Sequence, residues 1–190
     1  MKASWKIVLA AVPMFLLVGC GPPWTVIRQG NPNPLTPASQ MAIDNTTFNN
    51  LMVGKKTEAA WLAEKKPETQ QSHQNDKLAF LGGFTAGIQG QRGPLDIAGA
   101  DQLTGRMAIR SNVEFLEPGN FNGFVNIATE MRTKVMITDA NQQPVDEIEI
   151  RCVVPADLYR PAVGMRVTEC GRITGNYAAR YLKQRTGVTK

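Results

Sequence analysis

Strict alternation of apolar and polar side chains marks two neighbouring segments in the second half of the chain. In the first, the apolar or small positions are Met131, Thr133, Val135 and Ile137. In the second, they are Ile148, Ile150, Cys152 and Val154. A period of two places alternate side chains on opposite faces of a strand, and a polar turn at residues 139–144 joins the two segments. The pattern predicts a β-hairpin with one covered face and one wet face.

Weaker strand patterns lie upstream of this hairpin. Residues 107–115 predict one strand, and residues 39–44 predict a short first strand. Between them, residues 89–105 are rich in glycine and contain Pro94, which predicts a loop.

Two segments before that loop favour helix. Residues 58–66 are rich in good helix formers. Further on, Phe80, Phe84 and Ile88 fall four residues apart, so they share one helical face that we expect to be buried. Four glycines weaken this second helix and indicate either close backbone packing or early fraying: Gly82, Gly83, Gly87 and Gly90.

Residues 163–185 predict an amphipathic C-terminal helix. Its apolar stripe is Cys170, Ile173, Tyr177 and Tyr181. Its wet side would carry Arg166, Arg172, Arg180 and Lys183. The whole pattern predicts an α+β fold, a small antiparallel or mixed sheet packed on one face by helices, in a single domain over residues 39–190.

The first twenty residues have the features of an export signal. Lys2 and Lys6 precede an apolar run at residues 7–18, which contains Pro13 and is shorter than the roughly 20 residues needed to span a bilayer. The run ends in Leu17, Val18, Gly19 and Cys20, which resembles the lipobox of bacterial lipoproteins. The resemblance implies that residues 1–19 are cleaved as a signal peptide and that Cys20 is the lipid-attachment residue. The alternative is an ordinary secretory signal with an incidental cysteine.

Further consequences follow if the lipid is present. Two or three acyl chains on one residue would hold the protein on a membrane without a spanning helix. Residue 21 is Gly and not the Asp that retains many lipoproteins in the inner membrane, so we expect the outer membrane, with the domain in the periplasm. Residues 20–38 contain Pro22, Pro23, Pro32, Pro34 and Pro37, which predicts an extended tether without packed structure.

Charge and cysteine content narrow the function. The formal net charge is +5, of which Lys2 and Lys6 contribute two, and the remaining basic residues are scattered, so nucleic-acid binding is not indicated. With Cys20 lipidated, an even pair remains in an oxidising compartment. Cys152 on the strand and Cys170 on the helix face each other in the predicted fold, so we expect a disulfide, with two buried free thiols as the alternative.

No pattern typical of a catalytic, cofactor or metal site occurs in the sequence. His73 is the single histidine and lies in a polar stretch, where we expect an exposed ring. The element order resembles the small periplasmic domains of the curli-secretion-channel lipoprotein, of lipoprotein activators of peptidoglycan synthases and of an uncharacterised lipoprotein family. That resemblance implies a non-catalytic binding or assembly module with an envelope protein as partner.

Two alternatives stay open. One is an envelope hydrolase or ligand-binding protein with a cleft near residues 89–105. The other is a structural lipoprotein that self-associates through an exposed sheet edge.

Overall fold

A computed structural model describes residues 22–188 of the chain. Its main sheet has eight strands, and six of them follow one another across the sheet in the order β1-β10-β9-β6-β2-β5. These six are β1 (Thr25–Arg28), β2 (Gln40–Thr47), β5 (Asp96–Ala98), β6 (Met107–Glu117), β9 (Thr129–Thr138) and β10 (Pro144–Val154). The short strands β3 (Met52–Val53) and β4 (Lys56–Thr57) extend the sheet beside β6. A separate two-stranded ribbon is formed by β7 (Asn120–Phe121) and β8 (Asn126–Ile127).

The sheet is mixed. Strand β10 pairs antiparallel with β1 and β9, and β9 pairs antiparallel with β6. Strand β2 pairs parallel with both β5 and β6. Three helices accompany the sheet in the described chain: α1 (Glu58–Ala63), α2 (Pro67–Gln91) and α3 (Val163–Thr186). The predicted α+β class, with helices against a mixed sheet and a helix at the C-terminus, is confirmed.

The hairpin of β9 and β10 shows how the alternating sequence produces this layering. Val135, Ile137, Ile148 and Ile150 are at most 1% exposed and lie in the core. Charged residues that alternate with the buried ones along the two strands form ion pairs on the opposite face of the sheet, for example Arg151 with Glu130. The wet face and the covered face therefore occur where the period of two predicts them.

Helices α2 and α3 lie side by side and in parallel, with glycine at their contact. A Cβ atom on Gly83 would collide with the backbone oxygen of Thr168, and one on Gly171 would collide with that of Phe80. Gly87 and Gly175 repeat this relation one turn further along each helix. The predicted close backbone packing is confirmed for Gly83 and Gly87, whereas Gly82 and Gly90 face open space.

A disulfide joins the last strand to the last helix. Cys152 of β10 and Cys170 of α3 have Cα atoms 5.5 Å apart and are bonded, as predicted. Both side chains are at most 2% exposed. Closing a loop of this size removes unfolded-state entropy worth roughly 3 kcal/mol in the chain-entropy model.

The tether prediction for residues 20–38 is wrong from Thr25 onward. Residues Thr25–Arg28 form strand β1, which pairs with β10 at the edge of the sheet. Trp24 packs edge-on against Tyr181 of α3, with ring centroids 5.8 Å apart, and Leu35 is 3% exposed. The prolines at 23 and 32 flank a proline-free stretch that carries Val26 and Ile27, and this local β preference outweighs the average composition.

A buried carboxylate fastens the N-terminal segment to the domain. Asp146 of β10 is fully buried and accepts hydrogen bonds from the backbone N–H of Gly30 (2.8 Å), the Tyr181 hydroxyl (2.8 Å) and Arg185 Nε (2.7 Å). Burial would raise the pKa of Asp146, but the bonds from Arg185, Gly30 and Tyr181 lower it below the ordinary value of 3.8. For Tyr181, burial and the neighbouring carboxylate raise the pKa to about 12.

Arg166 of α3 is also buried, which corrects its predicted place on the wet side of the helix. Its guanidinium donates to the Thr129 hydroxyl and to the backbone oxygens of Pro118, Arg160 and Pro161, at 2.6 to 3.1 Å. Burial lowers the pKa of Arg166, and the charges of Asp157 and Asp76 oppose that shift. Helical periodicity did not reveal this because connections at the end of the sheet cover the first turns of α3.

We call this end of the domain the hairpin end, after the ribbon of β7 and β8. It comprises the ribbon at residues 118–128 and the loop at residues 155–162, both held by Arg166. The turn between β9 and β10 lies at the opposite end.

The predicted loop at 89–105 differs in part from the structure, since α2 continues to Gln91 and residues Asp96–Ala98 form β5. A strand of three residues is too short to show a period.

The glycine contact predicts opposite effects for two neighbouring substitutions. Gly87→Ala should lower the free energy of unfolding by about 2 kcal/mol, because its methyl group would meet the α3 backbone. Gly82→Ala, in open space on the same helix, should raise it by up to about 1 kcal/mol through helix propensity. Urea unfolding of both variants measures the difference. Equal effects would contradict the contact.

The Asp146 network predicts a pH-dependent loss of stability. Because the folded pKa is below 3.8, the stabilisation is present above that pH and is lost as the pH falls through the folded pKa. At pH 7, Asp146→Asn should cost about 3 kcal/mol, since Arg185 would lose its carboxylate partner. The deficit relative to wild type should shrink below pH 3.8.

Thermal unfolding between pH 7 and pH 3 measures this difference. Asp101→Asn, at an exposed position, is the matched control and should behave like wild type at every pH. A deficit for Asp146→Asn that does not change with pH would contradict the assignment.

Candidate functional site

The candidate site is the sheet face that points away from α2 and α3, which we call the open face. Alternation on four strands brings polar and charged side chains there, while their neighbours enter the core. The open face consists of Asp44, Arg110, Asn112, Glu114, Arg132, Lys134, Met136, Glu147, Glu149 and Arg151.

A groove of about 550 Å³ crosses this face near β2. Asn45, Thr47 and Asn49 from β2 and the following turn form one wall. Side chains of β6, β9 and β10 form the floor and the other wall: Arg110, Asn112, Glu114, Lys134, Met136 and Glu147. The groove is therefore lined by amides, hydroxyls and both signs of charge, with Met136 as an apolar element.

Ion pairs hold the charged side chains of the groove. Arg110 Nε lies 2.8 Å from Asp44 Oδ2, and Lys134 Nζ lies 2.9 Å from Glu114 Oε1. The hydrogen bond with Glu114 raises the pKa of Lys134, and the charges of Glu114, Glu147 and Glu149 act in the same direction. The charges largely neutralise one another, so the groove presents directional polar groups without a strong field of one sign.

Asn112 shapes the wall next to β2. Its side-chain oxygen accepts hydrogen bonds from the Thr47 hydroxyl at 2.8 Å and from the backbone N–H of Asn49 at 2.9 Å. The pairing of β2 with β6 shifts register between Ile43 and Thr46, which turns this end of β2 out of the regular ladder. The amide thus fixes a backbone segment that sequence reasoning did not single out.

A second depression of about 400 Å³ lies beside the first and shares Glu114 with it. Arg132 stacks over the Phe115 ring there, with its guanidinium carbon 4.7 Å from the ring centroid. Glu130 accepts hydrogen bonds from both Arg132 and Arg151. Together the two depressions make a continuous, shallow polar surface across β6, β9 and β10.

His73 is not the exposed residue that the sequence predicts. It is 3% exposed, its Nε2 lies 2.7 Å from Glu58 Oε1, and its ring packs 5.1 Å from that of Trp61. The polar stretch around it forms the first turns of α2, which begins at Pro67, so α1 covers the ring. A prolyl residue at the first helical position was the signal for this longer helix.

The surroundings of His73 leave little room for a ligand. Burial would raise the pKa of Glu58, but the bonds from Lys77 and His73 lower it. Nearby Asp76 has a pKa raised by burial, against the charges of His73 and Arg166. Both His73 and Asp76 border a cavity of about 130 Å³, which is smaller than ordinary ligand pockets.

The predicted disulfide residues lie away from the groove. Cys20 lies outside the described residues. Cys152 and Cys170 form the disulfide on the helix side of the sheet, so they contribute to stability and not to the open face. None of the residues that line the groove comes from the predicted cleft region, 89–105.

Residues 22–188 hold no cluster of three or more His, Cys, Asp and Glu side chains suited to a metal ion. Over the same residues, no helix has the length and apolar character needed to cross a bilayer. The geometry of the open face supports non-covalent recognition of a polar surface or ligand.

Comparison with known proteins finds weak likenesses in structure. No family model matches the chain, and no curated protein matches it. Two structures of the PelC dodecamer from Paraburkholderia phytofirmans are similar at 13% and 10% identity, each with a TM-score of 0.40. The matches cover 81% of this chain and 95% and 96% of the PelC chains.

A neuraminyllactose-binding hemagglutinin homologue from Helicobacter pylori is similar at 7% identity with a TM-score of 0.29. That match covers 86% of this chain and 89% of the other. None of these likenesses reaches a TM-score of 0.5, so they assign neither a family nor a function.

Proposed function

We propose that the protein is a lipid-anchored lipoprotein of the bacterial cell envelope and that its open face is a non-catalytic binding surface for an envelope protein. In this proposal Cys20 carries the acyl chains, residues 1–19 are cleaved, and the domain faces the periplasm from the outer membrane. Neither a cofactor nor a metal takes part.

The lipobox residues support the anchor. Leu17, Val18, Gly19 and Cys20 follow a basic and apolar leader in the order that lipoprotein precursors share. The disulfide between Cys152 and Cys170 is consistent with export, because disulfides persist in oxidising compartments.

The open face is the observation that carries the binding role. Arg132 and Arg151 expose 51% and 64% of their side chains, although ion pairs with Glu130 hold both in place. Fixed, complementary charges of this kind orient a protein partner and exclude wrong ones. Aromatic Phe115 under Arg132 adds the apolar contact that protein interfaces favour.

A second candidate is a protein that binds a small polar ligand. The groove of about 550 Å³ is within the range of ligand sites, and its amides and hydroxyls would suit a hydroxyl-rich molecule. The groove is open along one side of the sheet, which is why we favour a protein partner.

The sheet edges favour neither self-association nor strand addition. The two outermost strands, β1 and β5, have four and three residues. Short edge strands limit edge-to-edge pairing.

Replacing the proposed lipid-attachment residue tests the anchor. Wild-type protein extracted from membranes should begin at Cys20 and exceed the mass of the cleaved polypeptide by its acyl groups. Cys20→Ser should lack the acyl mass and appear as an uncleaved or a soluble species, because without acyl chains it loses about 0.8 kcal/mol of membrane affinity per buried methylene. Intact mass and fractionation are the measurements. An unacylated wild-type protein would refute the anchor.

Photo-crosslinking tests the binding surface. A benzophenone amino acid at Met136, in the groove, should give one defined protein adduct in intact cells. The same probe at Arg180, on the exposed side of α3, should give none and serves as the matched control. Equal adducts at both positions, or no adduct at Met136, would contradict a protein partner on the open face.

A further inference from the structure

The hairpin end of the domain exposes apolar side chains that the fold does not use. Phe124 at the tip of the ribbon is 98% exposed, with Val125 at 45% and Ile127 at 48%. In the neighbouring loop, Leu158 is 83% exposed and Tyr159 is 86% exposed. Two separate connections thus present large apolar groups at one end of the molecule.

Charge is absent or neutralised where these groups emerge. Residues 118–128 contain no Lys, Arg, Asp or Glu. The loop at 155–162 carries only Asp157 and Arg160, whose side chains pair at 2.6 Å. An uncharged, glycine- and asparagine-containing tip with an exposed aromatic ring suits the boundary between lipid headgroups and acyl chains.

Arg166 gives these two connections a fixed relation. Its guanidinium bonds to the base of the ribbon through Pro118 and Thr129 and to the base of the loop through Arg160 and Pro161. One buried side chain of α3 therefore fixes the positions of the ribbon and the loop relative to each other.

The start of the described chain approaches the same end. Strand β1 pairs antiparallel with β10, with Thr25 opposite Glu149 and Arg28 opposite Glu147. The chain therefore enters β1 from the side on which β10 ends, which is the hairpin end. Val154, the last residue of β10, lies five residues beyond Glu149, which is about 17 Å along the strand.

The linker between the proposed lipid-attachment residue and the domain is short. Only Gly21 separates Cys20 from Pro22, the first described residue, so covalent geometry keeps the two Cα atoms within roughly 7 Å. From Cys20 to Thr25 an extended chain spans at most about 18 Å, which is enough to reach the hairpin end. Because the chain enters β1 from that side, lipid on Cys20 would hold the hairpin end toward the bilayer.

We propose that the hairpin end rests on the bilayer and that Phe124, Leu158 and Tyr159 enter its interfacial region. The inference depends on the proposed lipid anchor, because the short linker after Cys20 sets the orientation of the domain relative to the bilayer. With this end on the membrane, α3 runs away from the bilayer and β10 runs toward it. The open face then stands beside the membrane, where an envelope protein can reach it.

The test places a benzophenone amino acid at Phe124 or Tyr159 of the full chain and irradiates intact cells. Arg180, exposed in the second half of α3, is the control position away from the hairpin end. The intact mass of the purified protein is measured first, and it reports the acyl chains independently. The expected result is a phospholipid adduct at positions 124 and 159 and none at 180.

The outcomes separate the two proposals. If the acyl mass is present but position 124 yields only a protein adduct, a second copy of the chain or no adduct, bilayer insertion is refuted and the anchor stands. If the acyl mass is absent, the anchor itself is refuted, and the orientation falls with it. Thermal unfolding like that of wild type verifies that each labelled variant is folded.

Discussion

Close approach of two helix backbones sets the layout of this domain. Gly83 and Gly87 of α2 lie against α3, and Gly171 and Gly175 of α3 lie against α2, at positions where no side chain fits. Two helices of 25 and 24 residues can therefore lie together on one face of the sheet. Because both pack on the same side, the other face of β6, β9 and β10 remains available for polar side chains.

Much of the fold follows from short-range pattern, and the exceptions have a common cause. The period of two across β9 and β10, the helix at the C-terminus and the pairing of Cys152 with Cys170 are all predictable from the sequence. Burial of Arg166 and His73 is not, since each is covered by an element distant along the chain. Local periodicity describes one helix or strand and does not show which distant elements pack against it.

The N-terminal segment shows the same limit from the other direction. Proline content predicts an unpacked tether, yet Thr25–Arg28 adds a strand to β10, and Asp146 binds the backbone at Gly30. The groove on the open face was also missed, because its walls come from four strands and only the completed sheet brings them together. Asp146 has the same alternation parity as Ile148 and Ile150. An acidic residue at a position that the alternation assigns to the core was the available signal for its contact with Gly30.

Pairing between β1 and β10 constrains the order in which the domain can fold. The hydrogen bond from Gly30 to Asp146 joins residues 116 positions apart, so this edge of the sheet cannot close before most of the polypeptide has emerged. A segment that is made early must therefore wait for one that is made late. Residues Thr25–Arg28 stay without their strand partner throughout that interval, and the arrival of β10 completes this edge of the sheet.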